Sequence, residues 1–273
     1  MIYELRITNY ELKNHKSKIV NLKSKILLLL TAYCLLPAAI FAEQKSLTIA
    51  AASDLSFALK EIAKQFEINT GTRVVLSFGS TGMLARQIEN GAPFDIFFAA
   101  NEKYIDELKN GGLIIPDTQK LYAQGRIVLA ANKTYGINAK KLEDLLDPSI
   151  KKISIANPDH APYGIAAKEA LLKLELWDKL KPKLVYGEII RQALQYLQTG
   201  DVPVGIIALS VANVPEITYT PIDNILHNPI NQAAAVIKKT KAEKEAREFI
   251  HYVTSPIGRP IMKKYGFLLP GEF

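Results

Sequence analysis

The chain has 273 residues and a formal net charge of +7, from 34 Lys and Arg against 27 Asp and Glu, with one Cys and one Trp. With 48% hydrophobic and 22% charged residues, it has the makeup of a globular protein and not of a disordered chain or a disulfide scaffold. The basic excess is mild and forms no stripe with interleaved aromatics, which argues against a nucleic-acid partner.

Taken in chain order, the first segment stands apart. Lys13, Lys16, Lys18, Lys23 and Lys25 precede a continuous apolar run over residues 26–36, followed by Pro37, Ala38 and Ala39. Ile40-Phe41-Ala42 then reads as a signal-peptidase site. A basic region, an apolar core and a small-residue exit predict a secretory signal peptide over residues 1–42. The apolar run is shorter than the roughly 20 residues of a membrane-spanning helix; an uncleaved anchor is the alternative. The leader carries the lone cysteine, Cys34, and a net charge of +4, which leaves the mature chain without cysteine and at about +3. The mature chain is long enough for one large domain or two lobes.

Beyond the leader, apolar runs predict strands over 47–52, 73–78, 95–100, 126–131, 152–156, 183–186, 204–209 and 233–237. Most are continuously apolar, as expected where helices cover both faces of a sheet. Helical periodicity falls between them. Leu55, Leu59, Ile62, Ala63 and Phe66 share one helix face; Ile189, Ala193, Leu194 and Leu197 share another. Gly71, Gly111-Gly112 and Gly200 fall where helices should stop. The alternation predicts an α/β fold with mainly parallel sheets flanked by helices. Two crossings divide it: residues 43–126 form a first lobe, 127–232 a second, and 233–273 return to the first, with the ligand in the inter-lobe cleft.

Four strand-to-helix junctions share one character. Ala52-Ser53-Asp54 opens the first helix and Gly79-Ser80-Thr81-Gly82 the second. Pro162-Tyr163-Gly164 and Gly187-Glu188-Ile189-Ile190 open two helices of the second lobe. Hydroxyl side chains and free N–H groups at helix starts favour an anion. If the lobes face each other, these four starts surround one small oxyanion.

At these residues the chain resembles the periplasmic molybdate-binding proteins of ABC importers. The matching stretches are AAASDLSFALKEIAKQF, SFGSTGMLARQIENGAPFDIFFAANEKYIDEL, ISIANPDHAPYGIAAKEAL and the final KKYGFLLP. The resemblance implies a two-lobed type II periplasmic-binding fold and no enzymatic activity. It implies capture of molybdate or tungstate as the oxyanion, with no direct protein ligand to the metal and no cofactor. It also implies delivery to a membrane permease by a periplasmic, monomeric protein. Carried over by motif, Ser53 gives its hydroxyl and N–H, Thr81 the second hydroxyl with Ser80 as the near alternative, and Tyr163 and Ile190 their backbone N–H groups.

Two positions depart from the pattern. Some members place a tyrosine hydroxyl where this chain has Ala208. Asp54 stands where relatives carry asparagine or a different spacing; a carboxylate facing a dianion repels it, so Asp54 should turn away or serve the helix N-terminus while its N–H faces the ligand. The alternative ligand is another small anion: sulfate, phosphate or an organic acid. A remoter alternative is an α/β hydrolase using Ser53, His160 and Asp159, although no G-x-S-x-G elbow is present. Arg191 is a further candidate for anion contact.

Overall fold

Burial on both sides governs the strands. The computed structural model describes residues 45–273; the signal-peptide reading of residues 1–42 lies outside them. The described residues form two five-stranded sheets. The first contains β1 (Ser46–Ala52), β2 (Arg73–Gly79), β3 (Ile96–Ala99), β4 (Lys120–Gly125) and β10 (Ile230–Val236), in the order β2-β1-β3-β10-β4. The second contains β5 (Ile127–Asn132), β6 (Ile153–Ala156), β7 (Leu184–Gly187), β8 (Val204–Ala208) and β9 (Ile217–Pro221), in the order β7-β6-β8-β5-β9. The chain passes to the second sheet at Arg126 and returns between Pro221 and Ile230.

In the first sheet successive residues enter opposite cores. Ile49, Ala51, Ile96 and Phe98 face a cluster with Leu59, Phe66 and Phe249. Ala50, Phe97 and Ala99 face a cluster with Leu84, Ile88, Ile105 and Leu108. Continuous apolarity therefore reflects helices on both faces. These helices are α1 (Ala58–Thr70), α2 (Thr81–Glu89), α3 (Glu102–Asn110), α7 (Glu243–Thr254) and α8 (Gly258–Lys264). The second sheet carries α4 (Pro162–Lys173), α5 (Trp177–Leu180) and α6 (Ile190–Thr199). Gly71 and Gly200 end α1 and α6 at φ +72° and +79°, the left-handed conformation that favours glycine.

The sheets are mixed, not mainly parallel. In the first, β1 pairs in parallel with β2 and β3, but β10 runs antiparallel to β3 and β4. In the second, β6 pairs in parallel with β7 and β8, but β5 runs antiparallel to β8 and β9. The strands that carry the chain between the sheets, β4, β5 and β10, make these antiparallel joints. A crossing strand arrives from the neighbouring sheet and needs no crossover helix, so it is free of the parallel βαβ geometry. β4 and β9 do not stand out as strands in the sequence. Each carries exposed or half-buried polar residues on an outer edge of its sheet, so the apolar run that marks inner strands is missing.

The C-terminal helices pack onto the first sheet through aromatic contacts. Phe66 of α1 meets Phe249 and Tyr252 of α7 edge-on, with ring centroids 5.0 and 5.3 Å apart. Phe66 is fully buried. Replacing it by alanine should destabilise the protein by about 3–5 kcal/mol in urea unfolding, because neighbours held on three elements leave a cavity that cannot collapse.

Candidate functional site

Strand register brings the predicted residues together. Ala52 pairs with Gly79 in the parallel joint of β1 and β2, so Ser53 and Ser80 leave adjacent strands at the same edge. Ala100 follows β3 at that edge. In the second sheet Ala156 pairs with Gly187, and the chain then enters α4 at Pro162 and α6 at Ile190. Ser53, Asp54, Ser80, Thr81, Tyr163 and Ile190 all line one cavity of about 10 Å³, completed by Ala52, Gly79, Ala100, Ala161 and Pro162. That is room for about one water, so the walls from the two sheets stand close together. No Lys or Arg lines the cavity, and Asp54 is its only acid.

The hydroxyls differ in what they are free to do. Ser53 lies in a 3₁₀ turn, Ser53–Leu55, and not at the start of α1, which begins at Ala58 with Phe57 as its N-cap. Its side chain therefore caps no helix, and among the described residues its hydroxyl has no hydrogen-bond partner. Thr81, the first residue of α2, is fully buried. Its Oγ1 accepts the Ala100 N–H at 3.1 Å, which leaves the hydroxyl hydrogen to donate elsewhere. Ser80 is the N-cap of α2 and accepts the Met83 N–H at 3.4 Å. Its Oγ also lies 2.7 Å from His160 Nδ1 and donates to the His160 carbonyl at 3.2 Å. Tyr163 and Ile190 sit in the first turns of α4 and α6, where N–H groups lack intrahelical acceptors.

A model of the bacterial extracellular solute-binding protein family matches residues 47–268. The chain belongs to this family. It is 36% identical over 230 residues to the molybdate-binding protein ModA of Azotobacter vinelandii, covering 83% of this chain and 91% of that one. It is 33% identical over 238 residues to ModA of Escherichia coli, covering 84% and 91%. Among solved structures, the periplasmic molybdate-binding protein of Azotobacter vinelandii superposes with a TM-score of 0.77 at 32% identity, covering 82% of this chain and 99% of that one. The chain is a binding protein and not an enzyme.

In this solute-binding protein a buried polar node joins the two sheets. The Tyr163 hydroxyl donates to Asp54 Oδ2 at 2.8 Å, and Gln232 Nε2 lies 2.8 Å from both Asp54 Oδ2 and the Tyr163 hydroxyl oxygen. Tyr122 donates to Gln232 Oε1 at 2.7 Å, and Ser210 donates to the Asp54 carbonyl at 3.0 Å. Asp54 is 1% exposed, and its other oxygen, Oδ1, has no partner among the described residues. Burial pushes its pKa up to about 6; the hydrogen bonds from Gln232 and Tyr163 hold it from rising further. Burial likewise raises the Tyr122 and Tyr163 hydroxyls well above the usual phenol range, and the Asp54 charge adds to the shift.

The sequence assigns Tyr163 only a backbone role, offers His160 only as a hydrolase base, and does not mark Gln232, Tyr122 or Gly125 as site-forming groups. Gln232 had a weak signal: with Asn231 it is one of two adjacent polar residues in the otherwise apolar β10. The pairing of β10 with β4 shifts register at Gln232/Ala233, an irregularity of the kind that re-aims a side chain. Gly125 ends β4 where a Cβ would stand 2.2 Å from the Tyr163 hydroxyl, so glycine makes room for the node. A Cβ at Gly82 would come within 3.0 Å of the His160 carbonyl, which accepts the Gly82 N–H at 3.0 Å.

The Ser53, His160 and Asp159 constellation is not assembled. His160 bonds Ser80, and its Nε2 lies 3.2 Å from the Glu188 carboxylate. Arg191 does not line the cavity; its guanidinium stacks over Phe57, 4.5 Å from the ring centroid, and burial lowers its pKa. Among the described residues no group of three His, Cys, Asp or Glu could hold a metal ion.

Two predictions follow from the node. Gly125→Ala should cost about 1–3 kcal/mol in urea unfolding, and the cost should shrink in a Tyr163→Phe background, where the hydroxyl that the new methyl meets is gone. The second concerns pH. A carboxyl with a raised folded-state pKa stabilises fully only below its unfolded value, and that contribution is lost as pH rises through the folded value. For Asp54 the window runs from 3.8 to about 6, or about 3 kcal/mol at 1.36 kcal/mol for each pH unit. Unfolding of ligand-free wild type should therefore lose about that much stability relative to Asp54→Asn between pH 4 and pH 7.

Proposed function

We propose that this protein captures molybdate or tungstate outside the cytoplasm and delivers it to the permease of an ABC importer. The observation that carries the reading is the convergence of Ser53, Thr81, Tyr163 and Ile190, from two sheets, on one small cavity without a cationic wall. In this reading Ser53 and Thr81 donate their hydroxyls, and Tyr163 and Ile190 their first-turn N–H groups. Asp54 contributes its backbone N–H. Ser80, occupied with His160, serves mainly to hold the α2 N-terminus against the second sheet. The ligand enters as the oxyanion, and no protein group binds the metal atom directly.

Neutral donors suffice because hydrogen bonds to an ionised group are worth roughly 1.5–3 kcal/mol each. A closed, preorganised site loses little of this to reorganisation. The names of the relatives, molybdate-binding protein ModA, support molybdate as the ligand; tungstate rests on its matching charge and shape. The same reading makes residues 1–42 a cleaved secretory signal. It divides the mature chain into lobes of residues 43–126 with 233–273, and 127–232. The protein acts as a monomer with no nucleic-acid partner.

A thermal-shift series with molybdate, tungstate, sulfate and phosphate tests the ligand. Molybdate and tungstate should raise the melting temperature at concentrations where sulfate and phosphate do not; no rise with either at millimolar excess overturns the assignment. Ser53→Ala and Thr81→Ala should each weaken molybdate binding roughly ten- to hundredfold, measured by calorimetry. Ser80→Ala should weaken it less.

A further inference from the structure

The cavity contains one feature that a dianion site does not call for. Asp54 is fully enclosed, and Oδ2 is committed to Tyr163 and Gln232, each at 2.8 Å. Oδ1 is buried without a partner in a residue that lines the cavity beside Ser53, Thr81 and Tyr163. A buried carboxylate oxygen left unpaired is costly. No cation offsets it: no Lys, Arg or His bonds to Asp54 among the described residues.

We infer that Asp54 is a specificity-determining residue that takes up one proton when the oxyanion binds, so that Oδ1 becomes a donor to the ligand. The inference rests on the oxyanion-binding reading above. The proton comes from bulk water and ends on Oδ1; Oδ2 keeps the hydrogen bonds from Tyr163 and Gln232, so the node that joins the sheets survives the change. An ionised Asp54 would repel a dianion across a small cavity from which water is largely excluded. A neutral Asp54 supplies one more hydrogen bond and satisfies its own orphaned atom.

The groups around the carboxyl are neutral; burial favours its protonated form, and the backbone N–H groups of Asp54 and Leu55 favour the ionised form less strongly. From α4, Tyr163 presents a hydroxyl; from β10, Gln232 presents an amide; from β4, Tyr122 acts through Gln232. Ser210, in the 3₁₀ turn Leu209–Val211, reaches only the Asp54 backbone carbonyl. On α2, Ser80 and Thr81 are neutral. On α6, Ile190 is apolar and Arg191 is turned onto Phe57. Ligand-free, the group already sits with a pKa of about 6, so protonation at pH 8 weakens binding by about a hundredfold at most. A nearby dianion then raises the pKa further.

The specificity consequence concerns pH. Affinity for a fully ionised oxyanion should be level below about pH 6 and fall about tenfold for each pH unit above it. A ligand that brings its own proton, such as hydrogen phosphate, would instead meet an ionised Asp54 without that loss.

Calorimetry of molybdate binding at pH 8, in two buffers of different ionisation enthalpy, counts the protons. Wild type should take up about one proton per molybdate and Asp54→Asn none, with the Kd of the variant independent of pH from 7 to 9. Infrared difference spectra of the wild type give a readout that needs no variant: molybdate should create a protonated-carboxyl C=O band at pH 8. Molybdate binding without proton uptake, or with the same uptake in Asp54→Asn, overturns the inference and leaves the ligand assignment standing. No binding of molybdate by wild type overturns both.

Discussion

The contact on which the site depends is the hydrogen bond from the Tyr163 hydroxyl to Asp54 Oδ2. It joins the turn after β1 in the first sheet to the first turn of α4 on the second, through an interior that holds no water-exposed alternative for either group. Gln232 completes it from β10, the strand by which the chain returns to the first sheet. Three segments far apart in sequence thus meet at one carboxylate oxygen. The space for this meeting exists because Gly125 has no side chain, and the aim of Gln232 follows from the register shift beside it. A buried network of this kind is valuable only when satisfied, and here every member but one atom is. That atom, Asp54 Oδ1, is buried in a residue that lines the small cavity between the sheets.

The second link between the sheets runs through His160. Its carbonyl accepts the Gly82 N–H, and its ring bonds Ser80. The α2 N-terminus is thereby divided between two tasks. Ser80 and Gly82 hold the opposite wall, while Thr81 lies between them with a hydroxyl hydrogen still free. In the proposed reading capping and ligand binding do not compete, because neighbouring residues perform them.

The proposed site of hydroxyls and N–H groups suits a protein that must release its cargo. Fixed cations would bind any anion tightly through charge alone, whereas oriented neutral donors reward geometry. Their worth depends on exclusion of water and on both walls being present, so affinity is tied to closure of the cleft. That the walls stand close enough to leave only about 10 Å³ fits this dependence.

Much of this was legible in the sequence. Continuous apolar runs marked the inner strands, since burial on both faces leaves no place for alternation. Glycines such as Gly71 and Gly200 marked helix ends because their backbones adopt positive φ. Ser53, Thr81, Tyr163 and Ile190 were legible as strand-to-helix junctions, where local geometry alone exposes donors. Edge strands β4 and β9 were not, because an edge needs little apolar surface. Nor was the role of the Tyr163 side chain: a tyrosine in a first helical turn has no local reason to reach a carboxylate 109 residues away. The sequence by itself determined the α/β layering, the helix starts and the kinds of donor available, all of which arise from neighbours along the chain. The tertiary structure alone decided the antiparallel joints, the division of labour between Ser80 and Thr81, and the burial of Asp54. Those outcomes depend on which segments pack together, and desolvation and partner geometry exist only once they do.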